Sequence, residues 1–376
     1  EKPMAMNAKE GRQMIDAAVP DRPVYLEAFD SHSAWVNTAA LREMGIDADT
    51  ADPIGGRIER DPETREATGL LIETAALGLM RTFLDGTVTD AERDASLAAA
   101  FADYRAVGVT AAVDMAMGQP ELGCLERALA RGNGELPIRV AGHWLIELTA
   151  SAADNVAQVR YAAELAQRLR GPWLRITGIK IMVDGVIDSC TAAMKAPFAD
   201  GSRPGPIWSL EELAPVVAVA DAAGLQVAMH AIGDEASDVA LSAIEHALAV
   251  NGPRERRHRL EHLETVTEAN VARLAALGVV ASMQPVHSDP AIQENWRAML
   301  GDDRIERGFP WPEFSTAGAV VAFGTDAPTA PHAPLPNMFI ATTRRSALDP
   351  SLEPNLPKYA LPMADALAHA TRDAAY

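Results

Sequence analysis

The chain has 376 residues, of which 48% are hydrophobic, and its formal net charge is −19 at pH 7. This size suits one large globular domain or two unequal ones, and the negative charge disfavours nucleic-acid or anionic-membrane partners, which require clustered Lys and Arg. We expect neither a membrane span nor a signal peptide, and the two cysteines, Cys124 and Cys190, give no disulfide framework, which suits the cytoplasm.

The first 105 residues do not alternate regularly between strands and helices. Residues 23–29 resemble a strand, residues 33–44 a short helix, and residues 52–68 a loop or hairpin rich in Gly, Pro and charge. We therefore expect residues 1–105 to be an N-terminal elaboration packed on a larger domain at residues 106–376.

From about residue 105 onward, short β-like runs alternate with Ala/Leu-rich helical stretches. The predicted strands are residues 109–115, 138–146, 176–183, 225–231, 258–262, 279–284 and 320–324, and the helices between them include 153–169, 210–223, 235–250 and 267–277. Gly224 and Gly278 indicate turns that end two of these helices. This alternation predicts βαβ units, so the expected fold class is α/β with a TIM-like (β/α)8 barrel. An open doubly wound sheet is the alternative, although no Gly-rich phosphate loop follows any strand.

Residues of metal-ligand type lie on four of these strands or directly after them. Lys180 lies in the third strand, His230 and His262 lie at or next to the ends of the fourth and fifth, and Asp326 follows the seventh. Active sites of such barrels lie at the C-terminal ends of the strands, so the four side chains can share one site. A single strand-end His is more often structural, and an Asp after a strand is usually a helix N-cap. Their order on near-successive strands favours the shared role.

Lys, His, His and Asp in that order resemble the second half of the metal site of the amidohydrolase superfamily. Shorter stretches resemble its branch of N-substituted formamide deformylase-like metal-dependent hydrolases, and they follow the family's order along nearly the whole chain: residues 22–26, 32–41, 68–73, 180–185, 230–234, 261–262, 284–285, 324–328 and 369–375. The resemblance implies a metal-dependent hydrolase that cleaves an amide-like, non-peptide C–N bond with metal-activated water.

The residues themselves are compatible with this chemistry. Imidazoles and carboxylates suit a divalent metal, zinc above all, with a position left open for water, and one or two ions are expected. Asp326 would take the proton of that water and deliver it to the leaving nitrogen. As a protonated ammonium, Lys180 cannot bind a metal. Burial lowers a Lys pKa, and a neutral amine can add carbon dioxide to form a carbamate that bridges two metals, as the resemblance also implies. The alternative is a lysine paired with Asp184 in the barrel interior.

Five further residues are predicted to bind a small-molecule substrate. His32, Trp35 and Asn37 lie in a stretch that matches the family, and Gln284 and His287 lie at and just beyond the end of the sixth strand. For the first three the alternative is structural, with Trp35 packing a loop and Asn37 capping a helix. The sequence names no particular substrate, and it leaves homo-oligomerisation open.

Two parts of the family pattern are missing from the chain. The family's first two metal ligands form a His-x-His pair on the first barrel strand, and the chain contains no His-x-His. The family also carries a small β-sandwich built from both chain ends. We therefore expect the 376 residues to be an internal stretch of a longer protein, without the first barrel strand and the sandwich, so metal occupancy is in doubt.

Two other functions are compatible with parts of this pattern. Lys180 could form a Schiff base, as in barrel lyases and aldolases, but this leaves His230, His262 and Asp326 without a shared role. A catalytically inactive binding or scaffold homologue would bind no stoichiometric metal.

Overall fold

A computed structural model of the chain describes residues 8–28 and 32–375 and divides it into two compact units, Glu1–Thr89 and Asp90–Tyr376. The helix at Asp90–Ala106 belongs to the second unit, whereas the sequence suggested a boundary after residue 105. Within the described part of the chain, no helix combines the length and the apolar character needed to cross a membrane.

The first unit is built around an antiparallel sheet. Its strands are β1 (Tyr25–Glu27), β2 (Ser33–Val36), β3 (Gly56–Arg60) and β4 (Ala67–Glu73), and its helices are α1 (Ala8–Ala18), α2 (Thr38–Glu43) and α3 (Arg81–Asp85), with a π-helical segment at Ala75–Met80. The strands pair in the order β1–β2–β4–β3. Val36, Ile58 and Leu71 lie in the buried core of this unit.

The helix predicted at residues 33–44 is wrong in its first part. Residues Ser33–Val36 form β2, which pairs with β1 and with β4, since aromatic and β-branched side chains suit a strand. Helix α2 begins only at Thr38, because the Asn37 carboxamide accepts the Ala40 N–H and caps it. The hairpin predicted at residues 52–68 is confirmed by the antiparallel pairing of β3 and β4. In the strand predicted at 23–29, β1 is present, and Phe29 lies outside the described residues.

The second unit contains a parallel sheet. Its strands are β5 (Ala111–Met117), β6 (Arg139–Ile146), β7 (Leu174–Met182), β8 (Gln226–Ala231), β9 (Arg259–His262), β10 (Val280–Met283) and β11 (Val321–Phe323). Its helices are α4 (Asp90–Ala106), α5 (Gln119–Arg131), α6 (Ala152–Arg168), α7 (Leu210–Ala222), α8 (Asp234–Asn251), α9 (Glu268–Ala276), α10 (Trp296–Leu300), α11 (Asp302–Ile305), α12 (Trp311–Thr316), α13 (Pro334–Thr343) and α14 (Met363–Ala370). Short 3₁₀ turns lie at Pro285–Ser288, Gln293–Asn295 and Pro357–Tyr359.

The parallel sheet predicted from the strand–helix alternation is confirmed. The seven strands lie side by side in chain order, from β5 to β11, and every neighbouring pair is parallel. A doubly wound sheet would reverse the strand order at a switch point, and no reversal occurs among the described strands. The sheet is therefore of the barrel type, while its closure by an eighth strand stays a prediction.

Local sequence sets the ends of the crossover helices. Ser209 and Glu212 form a capping box at the start of α7, and the Ser151 and Thr267 side chains cap α6 and α9. Gly224 and Gly278 follow α7 and α9 with φ of +75° and +65°, a conformation that L side chains rarely adopt. The two turns predicted at these glycines are confirmed.

Side-chain alternation along the strands separates an apolar face from a polar one. Ile179 and Ile181 of β7 and Met229 of β8 pack in the main core with residues of α7 and α8. Lys180 and His230, between or beside them, are buried on the opposite face. The alternation that buries apolar side chains on one face of the sheet therefore places a row of polar side chains on the opposite face.

One carboxylate joins the loops that follow β7 and β8. Asp184 is fully buried and accepts the backbone N–H groups of Ala193 at 2.9 Å, Ile232 at 3.0 Å and Gly233 at 2.8 Å. Without this acceptor three buried N–H groups would lack their partner, so the carboxylate fixes the path of both loops.

We predict that Asp184→Ala lowers the free energy of unfolding by at least about 3 kcal/mol, because it leaves several buried donors unsatisfied. Urea denaturation measures the change. Glu164→Ala removes an exposed carboxylate from α6 and serves as the control, with an expected change within about 0.5 kcal/mol. Equal stabilities of the two variants would contradict the role given to Asp184.

His143 of β6 makes stability depend on pH. It is almost fully buried, its Nε2 lies 2.8 Å from the Gln226 Oε1, and burial lowers its pKa to about 3. The unfolded state, with a His pKa near 6.5, therefore takes up a proton before the folded state does as the pH falls.

We predict that the free energy of unfolding falls as the pH is lowered from about 6.5 to about 3, with His143 contributing up to roughly 1.4 kcal/mol per pH unit. His143→Gln removes this share, so its stability should decline less steeply than that of the wild type. Urea unfolding at several pH values in this window tests the difference, and parallel pH curves would refute it.

Candidate metal centre

Three histidines and one aspartate form a contiguous group at the C-terminal ends of the strands. The rings of His230 and His262 have centroids 4.4 Å apart, and the His262 ring stacks on His287 at 5.7 Å. The His287 Nε2 lies 3.9 Å from the Asp326 Oδ2. We call these four residues the histidine cluster. Three of its members, His262, His287 and Asp326, place one nitrogen or oxygen each within 4.8 Å of one another, as metal ligands do.

Gln284 orients His262. Its Oε1 lies 2.8 Å from the His262 Nδ1, and a carboxamide oxygen can only accept, so Nδ1 carries the hydrogen. The lone pair then lies on Nε2, the nitrogen left for a metal. Burial, together with the charges of neighbouring His230 and Lys180, holds the pKa of His262 well below its usual value, which keeps this imidazole neutral.

Glu264 holds His287 in place. The Glu264 Oε1 lies 3.2 Å from the His287 Nδ1, and Thr329 Oγ1 lies 3.4 Å from Nε2 and 3.2 Å from the Asp326 Oδ2. Burial works to lower the pKa of His287, but the hydrogen bond and charge of Glu264 outweigh it, so the pKa is raised. Asp326 remains partly exposed, with about a third of its side chain open to solvent.

His230 faces the loop that Asp184 anchors. Its Nε2 lies 3.0 Å from the Gly185 carbonyl oxygen, which can only accept, and 3.6 Å from the Asp184 Oδ1. These acceptors place the hydrogen on Nε2 and the lone pair on Nδ1. An acceptor that fixes the tautomer of an imidazole is the usual support of a metal-binding histidine.

Lys180 is a buried amine in a charged interior. Burial lowers its pKa, against the opposing charges of Glu261 and Asp326. Among the described residues, no hydrogen bond or ion pair reaches the Lys180 Nζ, which differs from the expected alternative of a pair with Asp184. Glu261 instead pairs with Arg259, with 2.6 Å between its Oε1 and the Arg259 Nε.

Two of the candidate ligands have a left-handed backbone. The φ angles are +76° at His262 and +54° at Asp326, uncommon for residues other than glycine. In β9 the side chain of Glu261 lies with Arg259, so strict alternation would point His262 to the other face. The left-handed turn brings His262 towards His230 and His287 instead.

The other predicted substrate-binding residues lie in the first unit. The His32 Nδ1 lies 2.8 Å from the Glu73 Oε2, and Trp35 packs over Gly11. The fully buried Asn37 caps α2 and donates from Nδ2 to the carbonyls of Val19 and Arg22. These are the bonds of the structural alternative, and substrate binding by the three residues stays a prediction. Gln284 and His287, in contrast, touch candidate ligands.

Residues that support the cluster were not predicted from the sequence. Glu264 and Thr329 contact His287, and Arg259 pairs with Glu261 beside Lys180. Glu264 and Thr329 lie two and three residues after candidate ligands, a signal that was available in the sequence. Their partners come from other loops, which spacing alone does not identify.

This chain is similar to known proteins over most of its length. LONG AFTER FAR-RED 3 of Arabidopsis thaliana is 32% identical over 343 residues, 88% of this chain and 57% of the relative. N-substituted formamide deformylase of Arthrobacter pascens is 26% identical over 358 residues, 92% of this chain and 63% of the enzyme. The crystal structure of an uncharacterized metal-dependent hydrolase from Pyrococcus horikoshii OT3 has a TM-score of 0.73 at 24% identity, over 97% of this chain and 68% of the other.

The chain spans about three fifths of the length of the curated relatives it matches, and the solved structure shares its fold. The model of the amidohydrolase family matches residues 2–376, which include both units and every residue of the histidine cluster. The resemblance stated from the sequence is thereby confirmed, and the chain belongs to the amidohydrolase family.

Proposed function

We propose that the protein is a metal-dependent hydrolase that cleaves an amide-like, non-peptide C–N bond. One observation carries the proposal: side chains from the ends of β9 and β11 and from the turn after β10 bring two imidazoles and a carboxylate within 4.8 Å in a member of this family. Of these three groups, His262 and Asp326 would hold the cation, and His287 would face the substrate. Lys180 and His230, on the adjacent strands β7 and β8, extend the group of candidate ligands.

The donor set fits a divalent cation. The His262 imidazole is kept neutral and has its Nε2 lone pair available, while Asp326 supplies carboxylate oxygens. Nitrogen and oxygen donors of this kind suit zinc and its neighbours. Such a cation would supply Lewis acidity, which polarises a carbonyl and makes water nucleophilic near neutral pH.

Asp326 is the residue placed to move a proton. It is partly exposed, so that substrate and water can reach it, and Thr329 orients its Oδ2. In the proposed reaction the carboxylate accepts a proton from the attacking water and delivers it to the nitrogen that leaves. An amine leaves poorly unless it is protonated, so loss of Asp326 would slow the cleavage of the C–N bond.

His287 is placed to bind the substrate oxygen. Glu264 holds its Nδ1, which leaves Nε2 directed at Asp326 and Thr329. The raised pKa of His287 favours a proton on this imidazole, so it can donate a hydrogen bond to a carbonyl oxygen as negative charge develops there.

We further propose that Lys180 is carboxylated. Its amine is buried with a lowered pKa, and a neutral amine adds carbon dioxide to give a carbamate and a proton. The carbamate anion would add an oxygen donor to the site.

The substrate class is proposed from the family and one relative. N-substituted formamides are the first candidates, because one relative is a deformylase of such compounds. We place the reaction in the cytoplasm, supported by the two cysteines, both of which are free thiols.

We predict that His262→Ala weakens zinc binding by the full-length protein at least about tenfold to hundredfold, the loss seen even when a partner that only orients a ligand is removed. Zinc titration followed by metal analysis measures this. His246→Ala, at an exposed position of α8, is the matched control and should bind zinc like the wild type. Unchanged zinc stoichiometry and affinity in His262→Ala would remove His262 from the site.

We predict that Asp326→Asn keeps most of its metal but loses on the order of 10²–10⁴-fold in turnover, the usual share of general acid–base catalysis. Asn preserves the shape and tolerates the left-handed conformation, so the fold should survive. Hydrolysis of a panel of N-substituted formamides, with amine release as the readout, tests the prediction on the full-length enzyme.

Metal content separates the two classes of variant. Asp326→Asn should lose rate at near-normal zinc content, whereas His262→Ala should lose zinc and rate together. Retention of more than about a tenth of wild-type turnover by Asp326→Asn would show that another group carries the proton.

A further inference from the structure

A cavity of about 470 Å³ lies at the opposite end of the sheet from the histidine cluster. Its lining includes Arg175, the second residue of β7, and Gln226, the first residue of β8. Lys180 lies five residues further along β7, which places the cavity roughly 16 Å from the candidate metal centre along the strand. The proposed hydrolase chemistry uses none of its residues.

Arginines dominate the lining, although the whole chain is acidic. Arg175, Arg254, Arg256 and Arg257 lie there with only two carboxylates, Asp221 and Glu255. The neighbouring His258 is neutral, since burial lowers its pKa despite the charge of Asp221. The described lining residues therefore carry a formal charge of +2, in a protein with a net charge of −19.

Two of these arginines pair with no carboxylate among the described residues. In residues 8–28 and 32–375, no hydrogen bond or ion pair involves the Arg175 guanidinium. Arg254 donates to backbone carbonyls, among them that of Asp221 at 2.6 Å, and no described carboxylate pairs with it. Arg257 is half exposed and also bonds the exposed Glu255 at 3.1 Å.

The floor of the cavity is rigidly built. The buried Asp221 binds the Arg256 Nε at 2.6 Å and the His258 Nε2 at 3.1 Å, while the His258 Nδ1 accepts the Val227 N–H at 3.1 Å. Asn251 adds a further hydrogen bond to Asp221 at 2.8 Å. This network ties the loop before β9 to the end of α7 and fixes the backbone that carries Arg254 and Arg257.

We propose that this cavity, which we call the arginine pocket, binds a small phosphate-bearing anion. A phosphate group carries about two negative charges at neutral pH, which matches the formal charge of +2 on the lining. Guanidinium groups bind its oxygens in a planar, bidentate geometry. The volume lies in the range of small-molecule sites and leaves room for an organic body beside the phosphate, next to Leu225 and Gly224.

Calorimetric titration of the full-length protein with inorganic phosphate and with adenosine 5′-monophosphate tests the proposal. We expect saturable binding of one anion per chain that weakens as salt is added. Arg175→Gln combined with Arg254→Gln should weaken it at least about tenfold, since two charge-assisted contacts are lost. Both residues are exposed, so the variant should fold, and circular dichroism checks this.

Arg160→Gln combined with Arg345→Gln is the matched control, because it removes the same charge from exposed positions outside the lining. It should bind like the wild type. Tighter binding of the nucleotide than of phosphate would identify a phosphate ester as the occupant, and binding of phosphate alone would identify the free ion. The proposal is overturned if neither probe binds saturably, if the pocket variant binds like the wild type, or if the control loses as much affinity.

Discussion

The arrangement of the candidate site depends on one buried carboxylate. Asp184 holds the N–H groups of Ala193, Ile232 and Gly233, which belong to the two loops that follow the strands of Lys180 and His230. A loop at the end of a parallel strand has no ladder of its own to define it, so its path must come from side-chain acceptors. The acceptor that fixes these loops also lies 3.6 Å from the His230 Nε2. Fold and site therefore share a single set of hydrogen bonds.

The sequence predicted those features that depend on local pattern. The strands lie within about three residues of their predicted positions, because apolar runs between helices have few other structures available. His230 and His262 were found at or beside strand ends for the same reason. Residues 33–36 were predicted as helix because their pairing with β4 depends on residues more than 30 positions away. The contacts of His287 with Glu264 and Asp326 depend on a 3₁₀ turn after β10, whose shape spacing does not determine.

The charge of the side chains on the parallel sheet changes from one end of the strands to the other. At the C-terminal end, the neutral imidazole of His262 and a lysine with a lowered pKa lie near the partly exposed Asp326. In the middle, Arg259 and Glu261 neutralise each other, and His143 is held uncharged. At the N-terminal end, arginines exceed carboxylates. A buried charge is costly unless it is paired. The neutralised middle layer therefore separates the C-terminal and N-terminal ends of the strands, each of which we propose to bind a charged ligand.

The left-handed backbone at Asp326 has a consequence for engineering this protein. Glycine adopts that conformation freely, whereas Asp, although it tolerates it better than most side chains, still costs up to about 1 kcal/mol there, and the partly exposed Asp326 side chain recovers little of this through packing. Directed evolution for heat resistance alone would therefore favour glycine at this position. A library screened for thermal tolerance, without a catalytic readout, would enrich stable chains from which the proposed proton carrier has been removed.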